Sequence, residues 1–205
     1  MPEAQSEWTT FHHAALGRPS RELLRRTLGC FAIEKRVPGV AVDLGCGSGA
    51  DTLELLRRGW EVHAVDVEAS GLEMLIESVP TDLRAKVHTH AKRFEDFAFP
   101  PCDLVWSGYS LPFCSRKHWP SFWLRALAAL NVGGRIAGDI FGPEHAFASE
   151  ADVLVFSEAQ AREALGSLMV EAFDIENGYR PSGGAITRWH AFGFAARKPP
   201  LQSPA

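Results

Sequence analysis

Few features of this chain suggest a secreted protein, a membrane-spanning protein or one stabilised by a structural metal site. Its 205 residues include only four cysteines, at positions 30, 46, 102 and 114, and no two of them form a CxxC pair. This scarcity argues against a zinc knuckle or a disulfide framework and favours a reducing compartment. No apolar run approaches the ~20 residues of a membrane-spanning helix, and the first residues lack the basic and apolar regions of a secretory signal. We therefore expect a cytoplasmic protein without a membrane partner.

The chain also lacks a strong excess of either charge. The net charge is −4, and charged residues make up 22% of the chain against 46% hydrophobic ones. A weakly acidic chain offers phosphate backbones no general attraction, so we expect a small-molecule substrate and no nucleic-acid partner. The oligomeric state stays open. The length fits a single domain over 1–205, with a helical cap over 1–36, a core over 37–198 and a tail over 199–205.

Short β-rich runs alternate with helical runs through the core. Strands are expected over 39–45, 60–67, 84–91, 102–110 and 135–142. Helices are expected over 50–58, 69–79, 119–134 and 157–168, the last opening with the capping-box pair Ser157 and Gln160. Segments 170–180 and 185–198, separated only by PSGG, predict an antiparallel hairpin. The alternation predicts an α/β fold with a parallel sheet, helices on both faces and one added antiparallel strand.

The stretch AVDLGCGSGAD, residues 41–51, places three alternate glycines directly after the first strand. In a parallel α/β sheet, ligands bind at the carboxyl ends of the strands. Gly45, Gly47 and Gly49 permit unusual dihedral angles and let the backbone approach a ligand closely. A tight turn without a ligand is the alternative.

The glycine spacing alone does not identify the ligand. A P-loop is excluded because no Gly-Lys-Ser/Thr follows, but Ala50 leaves the dinucleotide fingerprint G-x-G-x-x-G/A open. Asp43 separates the remaining choices. Its carboxylate would repel a pyrophosphate, whereas it would attract a cationic amino or sulfonium ligand.

The sequence VDLGCGSG resembles motif I, D/E-x-G-x-G-x-G, of the class I S-adenosylmethionine-dependent methyltransferases. The resemblance covers about residues 38–198. It implies a Rossmann-like, seven-stranded, mostly parallel sheet with a C-terminal antiparallel hairpin, and S-adenosyl-L-methionine as cofactor. The stretches YSLPFC, LNVGGRIAGDIFG and RWHAFGFAARK are similar to those of small tellurite-resistance-type and related small-molecule methyltransferases.

The resemblance also implies further cofactor contacts. Asp66, at the end of the second strand, matches the position that binds the adenosyl ribose, and a carboxylate there can accept hydrogen bonds from both hydroxyls. Val67 would offer an apolar face to the adenine. Phe94 and Glu95 are the expected adenine contacts, although Arg93 stands where the family often has an acid. The other expected cofactor-binding residues are Asp43, Gly45, Cys46, Gly47, Gly49 and Ser107.

On the substrate side, Trp106-Ser107-Gly108-Tyr109 lacks the Asn/Asp-Pro-Pro-Tyr signature of enzymes that methylate exocyclic amines. Tyr109 is expected to line the space beyond the cofactor. A hydroxyl or amine acceptor would benefit from a general base, typically a histidine. His190 and His145 are the first candidates because they lie near the carboxyl end of the sheet; His12, His13 and His118 rank below them.

His88 and His90 share one strand face at i, i+2 spacing and resemble a metal-binding pair. No third ligand follows at a suitable spacing, so we interpret them as sheet residues and predict no metal site. The sequence thus predicts a methyltransferase that acts on a small molecule by in-line displacement. A non-catalytic S-adenosylmethionine-binding module and, less favoured, a dinucleotide-dependent oxidoreductase are the alternatives.

Overall fold

A computed structural model of the chain describes residues 16–182 and 185–200. Within them lie seven strands: β1 (Val40–Leu44), β2 (Glu61–Asp66), β3 (Val87–Ala91), β4 (Cys102–Ser107), β5 (Leu130–Phe141), β6 (Met169–Ser182) and β7 (Ala185–Arg197). The α-helices are α1 (Glu22–Ile33), α2 (Ala50–Arg57), α3 (Ala69–Ser78), α4 (Trp119–Ala129) and α5 (Glu158–Ala164). Short 3-10 turns cover Thr81–Lys86, Phe94–Asp96, Leu111–Phe113 and Ala146–Ser149.

The strands form one sheet in the order β3-β2-β1-β4-β5-β7-β6. Strands β1 to β5 pair in parallel, and β7 pairs antiparallel with both β5 and β6. The strand order reverses between β1 and β4, which is where parallel α/β sheets bind ligands. The Rossmann-like fold with its terminal hairpin is therefore confirmed.

Apolar side chains alternate between the two faces of the sheet and build a core on each. One core packs Val42, Val65 and Val105 against α4 and α5. The other packs Ala41 and Leu104 against α1, α2 and α3. Helices on both faces follow from this alternation, because each face must bury its apolar side chains.

Several predicted boundaries are wrong. Residues 81–86 form a 3-10 turn, so β3 begins at Val87 and not at residue 84. Helix α4 ends at Ala129, and Leu130 already belongs to β5 rather than to the helix face. The helix predicted to run to residue 134 is cut short because Leu130 already pairs with Cys102 of β4.

The capping box predicted for α5 is confirmed. The side chain of Ser157 accepts a hydrogen bond from the Gln160 amide and the Gln160 side chain accepts one from the Ser157 amide, which completes the capping box of α5. All four cysteines are free. The predicted cap is described only from residue 16 onward. In the described chain, no helix is long and apolar enough to cross a membrane.

Candidate functional site

The glycine turn, residues 45–49, connects β1 to α2 at the carboxyl edge of the sheet. Gly45, Gly47 and Gly49 have φ angles of 66°, 54° and 87°, in the left-handed region that glycine adopts without steric cost. A Cβ on Gly45 would stand 2.3 Å from the Cβ of Ser110, and one on Gly49 would stand 2.2 Å from Cδ1 of Leu75. Backbone conformation and packing therefore both require glycine in this turn.

The neighbouring strand fixes the glycine turn. The amides of Gly45 and Cys46 both donate to the carbonyl oxygen of Val65, at 2.8 and 3.2 Å. Asp66 Oδ2 accepts from the amide of Gly47 at 2.8 Å, and Oδ1 accepts from the amide of Glu68 at 3.0 Å. The motif residues of two strands are thus brought into direct contact.

Asp66 keeps capacity for a ligand. A carboxylate offers about four lone-pair positions, and the two backbone amides use two of them. The remaining positions fit the two hydroxyls of a ribose. Next to Asp66, Val67 exposes 51% of its surface, so its apolar side chain is available as a platform.

Asp43 lies buried beneath the glycine turn, facing α2. Its Oδ2 accepts a hydrogen bond from the Thr52 hydroxyl at 2.6 Å. Burial, reinforced by the nearby Asp51 and opposed by the Thr52 bond, raises the pKa of Asp43 to about 7. A cation bound at the turn would favour the ionised carboxylate, so the predicted electrostatic role depends on pH.

The side chains of Phe94 and Glu95, expected near an adenine, both make contacts within the protein. The ring of Phe94 packs in the core 5.9 Å from that of Phe122, and its Cζ lies 3.5 Å from where a Gly45 Cβ would stand. Glu95 Oε1 accepts from the Ser115 amide at 2.8 Å, so its carboxylate anchors the loop before α4. Arg93 is exposed and lies beside Glu95.

Ser107 and Cys46 are buried around the glycine turn. The Ser107 hydroxyl is hydrogen bonded to that of Ser110, which donates to the carbonyl of Leu44. This chain of bonds joins the ends of β4 and β1. Cys46 packs in the core over α2, and burial raises the pKa of its thiol.

Arg18 and Arg21, which the sequence did not mark as site residues, bind the segment before α1 to helix α2. Arg18 Nη2 lies 2.8 Å from Oδ2 of Asp51, the acidic residue in the first turn of α2. The backbone amide of Arg21 donates to Oδ1 of Asp51 at 2.8 Å. Burial and the charge of Arg18 lower the pKa of the Arg21 guanidinium.

A polar cluster lies around the carboxyl ends of β4 and β5. We define it as Arg21, Tyr109, Asp139, Glu176 and Arg180. Tyr109 has a φ of 58°, and its hydroxyl donates to Glu176 Oε1 at 2.8 Å. The guanidinium carbons of Arg21 and Arg180 lie 4.5 and 5.1 Å from the Tyr109 ring centroid. Cations, carboxylates and an aromatic face thus meet at one place.

Asp139 is the buried acid of the polar cluster. Burial raises its pKa to about 7, against the opposing charge of Arg21 and a hydrogen bond from the Tyr109 amide. It directly follows Gly138, whose partner in the β4–β5 register is Ser107. Asp139 is therefore a buried carboxyl whose pKa lies near neutral pH, and it stands one residue past the end of β4 in the sheet register. The sequence pointed to histidines as candidate bases and not to Asp139, because the burial that raises the pKa of Asp139 arises only in the folded chain.

His145 is buried, with only 3% of its surface exposed. Its ring stacks on Phe141 with centroids 3.6 Å apart, and its Nδ1 accepts from the Phe147 amide at 3.2 Å. Nε2 therefore carries the proton of the neutral ring, and within residues 16–182 and 185–200 it has no hydrogen-bond partner. Burial lowers the pKa of His145 to about 4, so the ring is neutral at physiological pH.

His190 supports the loop after β5. Its Nδ1 accepts from the Glu144 amide at 3.2 Å, and its ring stands 2.6 Å from where a Gly142 Cβ would be. These contacts hold the loop that carries His145. His118 is exposed before α4, and His12 and His13 lie outside the described residues.

His88 and His90 lie on β3 as expected, and the neighbouring strand adds His63 and Glu61 to their face. Burial and the charge of His88 lower the pKa of His63.

The described residues fit S-adenosylmethionine. The glycine turn leaves no room for a Cβ, Asp66 retains acceptor positions beside it, and Val67 offers an exposed apolar side chain. The buried carboxylate of Asp43 suits the cationic end of the cofactor.

Comparison with known proteins agrees with this fit. The family model described as "Methyltransferase domain" matches residues 41–134, which include the glycine turn and Asp66. The chain is 39% identical over 64 residues to a magnesium-protoporphyrin O-methyltransferase of Rhodobacter capsulatus, covering 31% of this chain and 29% of the relative. It is also 39% identical over 77 residues to ribosomal RNA small subunit methyltransferase C of Alcanivorax borkumensis, covering 38% and 23%. The chain thus spans less than a third of either relative.

Solved structures share the fold over more of the chain. TehB from Haemophilus influenzae superposes with a TM-score of 0.68 at 20% identity, covering 85% of this chain and 62% of TehB. Magnesium protoporphyrin IX methyltransferase from Synechocystis PCC 6803, solved with bound SAH, superposes with a TM-score of 0.64 at 13% identity, covering 85% and 81%. Residues 41–134 thus match the methyltransferase-domain model, and the described chain shares the Rossmann-like fold of these solved structures.

Proposed function

We propose that this chain is an S-adenosylmethionine-dependent methyltransferase that acts on a small molecule. The observation that carries the proposal is the contact between the glycine turn and Asp66, made at the point where the strand order reverses. The family model spans both partners of this contact, two relatives named as methyltransferases match part of the chain, and one of the structures with the same fold holds SAH.

The residues around the glycine turn have distinct tasks in this proposal. Asp66 orients the ribose, Val67 covers one face of the adenine, and Asp43 balances the positive charge of the ligand. When bound, the cofactor supplies an electrophilic methyl group on a sulfonium. Positioning of two reactants is worth up to about 7–11 kcal/mol in well-oriented systems, so alignment is the main task of these residues.

The polar cluster is the proposed acceptor site. It lies beyond Ser107, on the side of β4 away from β2. Asp139 can take a proton from a hydroxyl or amine acceptor as its bond to the methyl carbon forms, because its pKa is about 7. We therefore place Asp139 ahead of His190 and His145 as the base. His145 instead offers its unpartnered Nε2–H as a donor within the described part of the chain.

A small acceptor is favoured by charge. The chain has a net charge of −4, and the polar cluster contains two carboxylates beside its two arginines. Neither feature provides the positive surface with which proteins hold a phosphate backbone. We infer that the acceptor is a small molecule, as in the Rhodobacter relative, rather than RNA, as in the Alcanivorax relative.

Calorimetric titration tests the cofactor first. We expect S-adenosylmethionine and S-adenosylhomocysteine to bind with one site per chain, and NAD not to bind. Absence of binding to both adenosyl compounds by folded protein would refute the proposal, and tight NAD binding would favour the oxidoreductase alternative.

Turnover tests the enzyme. The protein is incubated with methyl-labelled S-adenosylmethionine and either a metabolite extract or total RNA, and label transfer is measured. We expect transfer to the small-molecule fraction, abolished by Asp66→Ala. Transfer only to RNA would overturn the small-molecule acceptor, and cofactor binding without any transfer would favour the binding-module alternative.

A further inference from the structure

Three histidines and a glutamate meet on one face of β2 and β3, at the edge of the sheet. The parallel register pairs His63 with His88 and Val65 with His90. Because side chains alternate along a strand, Glu61 and His63 point to the same face as His88 and His90. The third donor that the spacing around His88 and His90 lacks therefore comes from the neighbouring strand.

The donor atoms of this group converge. One ligand atom each from Glu61, His63 and His88 lies within 4.8 Å of the other two. His88 Nε2 and Glu61 Oε1 are 2.9 Å apart, and the rings of His63 and His88 have centroids 4.8 Å apart. In a tetrahedral zinc site, bonds of about 2.0–2.1 Å place neighbouring donors ~3.3 Å apart. Side-chain movements on the order of 1 Å would bring the three donors to that spacing.

His90 holds His63 in place. His63 Nδ1 and His90 Nε2 are 3.0 Å apart, within hydrogen-bonding distance, and the two rings stack at 10° with centroids 5.2 Å apart. A hydrogen bond to the second ring nitrogen is how proteins commonly orient a ligating histidine. Phe97, 5.0 Å from the ring of His90, packs behind the pair.

We propose that Glu61, His63 and His88 form a surface site for a divalent transition-metal cation of the Zn²⁺ type, with His90 as its positioning residue. Imidazole and carboxylate donors suit Zn²⁺, Ni²⁺ and Cu²⁺, whereas Mg²⁺ and Ca²⁺ prefer oxygen ligands alone. The ion replaces the proton shared by His88 and Glu61. Because Glu61 and His88 are half-exposed, water completes the coordination.

Such an ion joins the edge strand β3 to β2. Binding to the folded chain alone stabilises it by mass action, so the melting temperature rises with metal concentration. The carboxyl end of β3 lies beside Asp66, since Ala91 pairs with Asp66 and the Lys92 amide donates to its carbonyl. The metal would therefore cross-link the same two strands, β2 and β3, of which β2 carries Asp66, the residue proposed to bind the ribose. The site does not depend on the proposed methyl transfer.

Titration of the untagged, metal-free protein with Zn²⁺ alone tests the site. We expect one equivalent to bind, a rise in melting temperature, and at least a tenfold loss of affinity in both His63→Ala and His88→Ala. His118→Ala removes an exposed histidine of the loop before α4 and serves as the matched control, with unchanged affinity. His90→Ala should lower the affinity less than His88→Ala does, since His90 acts through His63.

Two further measurements keep the test decisive. Melting in the presence of a chelator shows whether each variant folds like the parent. Co²⁺ absorption distinguishes nitrogen and oxygen ligands from a thiolate, because Cys30 is free and partly accessible. A thiolate charge-transfer band, or an affinity in folded His63→Ala and His88→Ala within threefold of the parent, would overturn the proposal.

Discussion

At the carboxyl ends of β1 and β2, the groups that we propose to face a ligand are the backbone of the glycine turn and the carboxylate of Asp66, whereas around the carboxyl ends of β4 and β5 they are side chains. The amide of Gly47 comes from the turn with left-handed glycines, and Asp66 ends the neighbouring strand β2. The polar cluster instead draws Arg21, Tyr109 and Glu176 from three distant parts of the chain. The first region combines the short glycine turn with one acid of the next strand and suits the invariant cofactor that we propose. The second can change its ligand by changing single side chains.

Arg21 links the two regions. Its amide is bonded to Asp51 at the start of α2, while its guanidinium lies over Tyr109. A Cβ on Gly108 would stand 2.4 Å from Nε of Arg21, so glycine at that position makes room for the arginine. We therefore expect that substitutions which leave Arg21 and its contacts in place in one region will leave the chemistry of the other largely unchanged.

Asp139→Asn is expected to have the largest effect. Loss of a general base lowers turnover by about 10²–10⁴-fold. Turnover is measured with the acceptor identified by label transfer, and affinity for S-adenosylhomocysteine, which should change less than threefold, shows that the glycine turn is intact. If affinity and turnover fall together, the two regions are not independent.

Asp139 also predicts a pH dependence. Because its pKa is raised to about 7 in the folded protein, its contribution to stability is complete below its unfolded pKa of about 4 and is lost as pH rises through about 7. The parent protein should thus lose stability relative to Asp139→Asn as pH rises from about 4 to about 7. Melting temperatures of both proteins across this range measure the difference, and a constant difference would contradict the raised pKa.

Gly49→Ala tests the geometry of the glycine turn. The φ of 87° costs an L-residue about 1–2 kcal/mol, and displacing Leu75 from the 2.2 Å contact adds about 1–3 kcal/mol. We expect a melting temperature lower by roughly 4–20 °C, at about 2–4 °C per kcal/mol. Gly178→Ala, where a Cβ would meet nothing within 4 Å, is the control and should shift it far less. Equal shifts would show that the turn tolerates a side chain.

Asp66→Asn should weaken cofactor binding without abolishing the fold. Hydrogen bonds to a charged group contribute about 1.5–3 kcal/mol, which corresponds to about a 10–150-fold loss of affinity for S-adenosylhomocysteine in calorimetry. Asp82→Asn, an exposed aspartate of the 3-10 turn before β3, is the matched control. An unchanged affinity in Asp66→Asn would contradict the proposal that Asp66 binds the ribose hydroxyls.

The smallest expected effect lies outside both regions. Gly29 is inside helix α1, and an added Cβ would meet nothing within 4 Å. Gly29→Ala should therefore raise the free energy of unfolding by about 0.5–1 kcal/mol, because alanine favours the helix. Denaturant unfolding measures this gain, and S-adenosylhomocysteine affinity should stay constant.

Most of the sheet could be predicted from the sequence because its strands and helices carry local signals. The period of the apolar residues, the capping box at Ser157 and the PSGG turn gave the correct order of elements. The errors lie at Val87 and Leu130, where strand pairing begins or continues irrespective of local propensity. Tertiary pairing decided those boundaries.

The sequence by itself determined the glycine turn, because three alternate glycines after a buried strand indicate left-handed backbone there, and it marked Asp66 as an acid at the end of the next strand. Only the tertiary structure decided the rest. Asp139, with its raised pKa, and the pairing of Tyr109 with Glu176 depend on burial and on contacts between residues far apart in the chain. The convergence of His63 and Glu61 on His88 likewise depends on the register of two parallel strands, which no spacing within one strand reveals.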